Sequence, residues 1–236
     1  MVLPKEHGTW MMFFLPFLLG VITSTPSLVH IPLFVGWFFL YLASTPLLTI
    51  YRNKKRNQEM FRWLILYAVV ACIFLIPIIW IYPFLLWLGL CLFPLLLVNI
   101  YFINKKNERS LWNNLSGIIT FTLGGVASYA IVAPYTIEVI LLLILVAFYF
   151  TASAFYVKSL IRERKNIQFK KKSHLFHLLL LLVPTLLCIP LFTFAYLPSA
   201  LKDWLTSRKK QLQPMKIGII EIVNGCIFFV LYLVLM

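Results

Sequence analysis

Aspartate is almost missing from this 236-residue chain: Asp203 is the single one, and six glutamates complete the acidic side chains. Charge of any kind is scarce, at 12% of residues, against 62% apolar or aromatic. Soluble globular domains sit near 45–50% apolar and about 25% charged. The shortage therefore excludes an ordinary soluble domain, a disordered tail and a secreted disulfide scaffold. Cysteine is also sparse. Cys72, Cys91, Cys188 and Cys226 lie inside apolar runs without CxxC spacing, and they read as small apolar fillers between helices. GxxxxGKS, GxSxG, HExxH and CxxCH motifs are all absent.

What is present is apolar run after apolar run. A spanning helix takes roughly 20 apolar residues, so the chain has room for about eight to ten spans and for no separate soluble domain. The runs lie near 10–24, 30–50, 63–81, 83–103, 113–133 and 136–159, with two more inside 172–207 and a last one near 216–235. They are apolar on all faces, and backbone groups in lipid must pair within their own segment, so each is read as a helix. The fold class expected is all-α: a single polytopic transmembrane bundle over 1–236. No cleavable leader is expected, and the run from Trp10 is read as a retained first span.

Basic residues outnumber acidic ones 21 to 7. They fall in blocks between apolar runs, the pattern of cytoplasmic loops rather than of a nucleic-acid binder. Arg52, Lys54, Lys55, Arg56 and Arg62 follow the second run. Lys105, Lys106 and Arg109 follow the fourth. Arg162, Arg164, Lys165 and Lys170 to Lys172 follow the sixth. The alternate connections carry no Lys or Arg, so the N-terminus is expected in the cytoplasm. One span over 175–197 would give eight in all and leave Arg208, Lys209, Lys210 and Lys216 outside. Dividing the stretch near Pro190 gives nine spans and an external C-terminus, and nine is the preferred reading. A weak repeat relates YLASTPLLTIYRNKKRN (41–57) to YFTASAFYVKSLIRERKN (149–166), suggesting halves 1–107 and 108–215 plus a last helix 216–236.

Four polar clusters interrupt this apolar pattern. Lys5, Glu6 and His7 precede the first span, where a helix N-terminus favours an anion; the plain alternative is an interfacial anchor. Glu108, Arg109, Asn113 and Asn114 form a second cluster, before a span rich in small residues (Gly117, Gly124, Gly125) that allow close helix approach. Lys158, Arg162 and Lys165 recur at helical spacing beside Glu163 and Arg164, a face able to hold phosphate if the helix continues. In the last span Glu221 and Asn224 share a face; Glu221 lies about a turn from Lys216, its expected partner. Glu138 and His30 are placed near the outer surface. His174 and His177 share a face, yet a metal needs further ligands, so neither metal nor cofactor is expected.

The segments PKEHGTW, ERS followed by NN and G, YVKSLIRERKN and IGIIEIVNG resemble the YwiC-like family of bacterial membrane proteins, nearly end to end. The resemblance implies the bacterial cell membrane and a fold, and no established activity. More distantly, the chain resembles the UbiA-type intramembrane prenyltransferases. That resemblance implies nine helices in two four-helix halves around a central cavity, with active loops after helices 2 and 6. Those enzymes hold magnesium and an isoprenyl diphosphate on Asp-rich motifs. The matching stretches here, YRNKKRNQEMFR and VKSLIRERKN, have no Asp, and Glu59 and Glu163 alone do not make two magnesium cages.

The leading expectation is a bundle that binds an anionic-headed lipid, of isoprenoid or quinone-like class, at its cytoplasmic mouth. Arg62, Arg109, Lys158, Arg162 and Arg164 would clamp the head, and His7, Glu108 and Glu221 are the acid–base candidates. Lys5, Glu6, Asn113, Asn114 and Asn224 complete the binding set. Missing metal ligands weigh against an enzyme. The alternatives are a small transporter of an anion or weak acid, and an accessory subunit of a membrane complex.

Overall fold

A computed structural model describes residues 2–4, 7–53, 58–133, 136–208 and 211–236, the side chain of His7 excepted. Among the described residues every regular element is helical. The helices are α1 (His7–Thr23), α2 (His30–Arg52), α3 (Gln58–Ile81), α4 (Leu85–Asn104), α5 (Leu111–Ala130), α6 (Ile137–Ile161), α7 (Ile167–Leu186), α8 (Thr193–Leu205) and α9 (Pro214–Leu235). Five of them, α2, α3, α4, α6 and α9, are long and apolar enough to cross a membrane. Ser110 caps α5 by accepting from the Asn113 amide, and Asn166 caps α7 by accepting from the Phe169 amide. Each cap restarts the helix directly after a basic turn.

The apolar residues do not all point inward. Trp80, Trp87, Leu90 and Phe93 on α3 and α4 are exposed, as are Ile219, Val223 and Val230 on α9. A monomer in water rarely shows apolar faces of this extent. The four cysteines are exposed too. They do not fill helix interfaces as the sequence suggested, because each falls on an outward-facing position.

The core runs through α1, α5, α6, α8 and α9. Leu15 and Leu19 of α1 meet Leu142, Leu145 and Val146 of α6, and Tyr149 stacks on Phe228 at 3.9 Å. The tightest contact joins α1 to α5. A Cβ on Gly125 would lie 2.6 Å from the Pro16 carbonyl oxygen. The Ser128 hydroxyl sits between the carbonyls of Phe17 and Gly125, 2.9 Å from each. Small residues thus bring two backbones together.

The stretch 172–207 breaks near Pro190 into two helices. α7 ends at Leu186, Cys188 takes a left-handed φ of 62°, and a short 3-10 turn spans Pro190–Phe192. The Ile189 amide returns to the Pro184 carbonyl, 2.9 Å away, the closing bond of a Schellman end. The chain then doubles back. Ser173 on α7 meets Asp203 on α8, and the Thr193 hydroxyl donates to the Leu181 carbonyl at 3.2 Å. α7 and α8 are therefore antiparallel neighbours.

Two further expectations change. α6 stops at Ile161 and Arg162 is its C-cap, so the helix does not carry Lys165 onto the face of Lys158. His30 is buried rather than lone: Nδ1 faces Ser27, and Nε2 lies 2.8 Å from the Ser128 carbonyl. It ties the start of α2 to the end of α5. Glu138 is exposed at the start of α6, as read.

Candidate functional site

The basic turns come together at one end of the bundle. Arg52 at the end of α2 grips Glu108 with two hydrogen bonds, Nε to Oε1 at 2.9 Å and Nη2 to Oε2 at 2.5 Å. Asn104 donates to the Tyr51 hydroxyl beside this pair. Arg162 Nη1 donates to the Arg109 carbonyl at 3.4 Å, joining the α6–α7 turn to the α4–α5 turn. Asn113 Nδ2 donates to the Glu108 carbonyl at 2.6 Å, and its Oδ1 is buried without a partner among the described residues. Asn114 gives its amide to the Ser110 carbonyl. Lys158 Nζ lies 5.6 Å from the centre of the Phe169 ring. Arg109 and Arg62 are exposed. Arg164 is half-buried in the turn after α6. Lys5 and Glu6 lie outside the described residues, as does the side chain of His7. Thr9 meets the Tyr41 hydroxyl at 2.8 Å, which sets the start of α1 about three turns below the end of α2.

A second polar group lies inside the bundle, on α6, α7, α8 and α9. Its hub is Asp203, with no exposed surface. Ser173 Oγ donates to Oδ1 at 2.9 Å; His174 Nδ1 lies 2.5 Å from Oδ2, and His177 Nδ1 lies 3.5 Å from it. Arg208 donates to Oδ1, to the Asp203 carbonyl and, at 3.1 Å, to the Ser159 hydroxyl. The sequence groups Arg208 with Lys209, Lys210 and Lys216 in a basic block that the nine-span reading puts in the cytoplasm. Arg208 is buried because its partners, Asp203 and Ser159, are buried with it.

Next to Asp203 on the chain, Lys202 turns the other way. Its Nζ lies 2.5 Å from Glu221 Oε1 and 4.4 Å from the centre of the Tyr156 ring. Ser153 donates to the other Glu221 oxygen. The expected partner, Lys216, is exposed, whereas Lys202 and Ser153 reach Glu221 from the interior side. Asn224 Nδ2 donates to the buried Tyr149 hydroxyl at 2.8 Å. Glu221 and Asn224 thus face the bundle, as charged and amide groups in apolar helices must. A carboxylate and an ammonium removed from water are held only with good geometry and added hydrogen bonds, and both are met here.

Of the residues singled out in the sequence, Glu108, Arg109, Asn113 and Arg162 are brought together. Glu221 and Asn224 belong to the interior group instead. Asp203, His174, His177, Lys202 and Arg208 form a site that charge blocks and motifs do not reveal. The usable signal was a lone carboxylate within an apolar stretch. No set of three or more His, Cys, Asp or Glu able to hold a metal occurs among the described residues.

These features define an all-helical protein with helices suited to a membrane, a basic end and a buried charge network. The chain belongs to the YwiC-like protein family, whose match covers residues 3–129. It is 40% identical to the uncharacterised protein YwiC of Bacillus subtilis (strain 168), over 96% of this chain and 95% of that one. It is 35% identical to an uncharacterised protein of Haemophilus influenzae, over 99% and 98% of the two chains. No solved structure matches the chain.

Proposed function

We propose that this protein is a UbiA-like bundle of nine spans in the bacterial cell membrane that binds the anionic head of an isoprenoid or quinone-like lipid at its cytoplasmic end. The N-terminus is cytoplasmic and the C-terminus external in this reading. The antiparallel return of α8 supports nine crossings, because it brings the start of α9 back to the basic end. The contact that carries the binding reading is Arg162 to the Arg109 carbonyl. It gathers two basic turns whose nearby carboxylates are engaged, Glu108 by Arg52 and Glu163 by Asn166. Guanidinium groups suit a phosphate or carboxylate head. Arg62, Arg109, Lys158, Arg162 and Arg164 hold the head, with Asn113 and Asn114 beside them. Lys5 and Glu6 complete the binding set, and His7 and Glu108 are its acid–base candidates; Glu221 and Asn224, engaged in the interior group, stand apart from the head site. No nucleic acid or cofactor enters this reading.

Mass spectrometry of co-purifying lipids tests it. The expected result is one enriched species in the wild type that is lost in the Arg109→Gln, Arg162→Gln double variant. Bulk phospholipid alone in both preparations would overturn it.

A second reading, a small transporter of an anion or weak acid, draws on the part-buried Lys202–Glu221 pair and the buried Asp203–Arg208 pair. Against it, the polar groups opposite the basic end are engaged locally: Ser128 with two carbonyls, His30 with Ser27 and Ser128. Proteoliposomes that pass no small anion would remove this reading.

A further inference from the structure

His177 and Ser199 are both fully buried, and His177 Nε2 and Ser199 Oγ lack hydrogen-bond partners among the described residues. The two atoms belong to facing helices. Ser173–Asp203 on one side and Leu181–Thr193 on the other bracket them. Between these bonds the antiparallel register sets His177 of α7 opposite Ser199 of α8. Each also lies one turn from a partner of the Asp203 hub, His177 after Ser173 and Ser199 before Asp203, so both share the hub's face.

The chemistry of the pair is complementary. His177 Nδ1 lies 2.8 Å from the Ser173 carbonyl, and a carbonyl only accepts, so Nδ1 carries the ring proton. In the neutral ring Nε2 is then a bare lone pair. Ser199 offers a hydroxyl that can both donate and accept. Burial of two such groups without partners is costly, and a water with two to four polar contacts is the usual remedy.

We propose that His177 Nε2 and Ser199 Oγ hold one buried water, which completes the hydrogen bonding of the Asp203 cluster. The water donates to Nε2 and accepts from, or donates to, Ser199. On its other side the ring faces the Asp203 carboxylate through Nδ1, 3.5 Å away, with His174, Lys202 and Arg208 as the other charged or titratable groups around the hub. The site does not depend on the lipid reading.

Nitrogen-15 NMR of histidine-labelled full-length protein in lipid bilayers tests it, with His177→Gln used to assign the resonance. The expected spectrum shows an unprotonated Nε2 with a magnetisation-transfer contact to water, and Ser199→Ala weakens that contact severalfold while the other histidine signals stay in place. An Nε2 that bonds the Ser199 hydroxyl directly, or that shows no water contact in the wild type, would overturn the proposal. The wild-type spectrum decides the matter even if the variant does not fold.

Discussion

Asp203→Ala is expected to destabilise the protein by about 3–5 kcal/mol, the usual cost of removing one partner of a buried ion pair. Asp203 receives Ser173, His174 and Arg208 with no exposed surface of its own. Its loss leaves the Arg208 guanidinium buried without its carboxylate. Asp203→Asn keeps the shape and one acceptor, yet its amide opposes donors, so its loss should be nearly as large. Arg208→Met added to Asp203→Ala should restore part of the stability, because no lone charge is then buried. Thermal unfolding in detergent, followed on all four proteins, checks the order. A single Asp203→Ala variant with unchanged melting would show that the hub contributes nothing to stability.

The second large effect concerns Gly125. A valine there is expected to cost about 3 kcal/mol or more, above the common range for overpacking. The reason is that its Cβ would meet the Pro16 carbonyl, a backbone group that no rotamer change can move. Gly89→Ala in α4 is the matched control, because nothing lies within 4 Å of its would-be Cβ. It should leave stability unchanged or raise it slightly through helix propensity. Equal behaviour of the two variants in an unfolding assay would mean that the α1–α5 contact is looser than described.

Hydropathy made the helices legible, down to the break near Pro190. Apolar runs report how long a segment is and nothing of which residue faces which. Glu221 shows the difference: its need for a partner was evident, but its nearest cation in sequence was not the one that reached it. Lys202 does so because α8 turns back beside α9, a tertiary fact. Asp203 was equally open to the rule that a carboxylate in an apolar helix has a purpose. Its partners, however, lie 29 and 30 residues earlier, on a helix whose lysines resemble a solvated loop. The basic end was easier, since its charges sit at the ends of apolar runs. The pairing of its turns through Arg162 and the Arg109 carbonyl needed the fold.

Lys202 and Asp203 are neighbours on α8, and neighbours on a helix point about 100° apart. One is fastened to α9 through Glu221, the other to α7 through Ser173 and His174. A helix anchored in two directions at one level has lost its freedom to spin. It also cannot slide along its axis without drawing both neighbours with it. α8 is thus pinned between α7 and α9 by two adjacent residues.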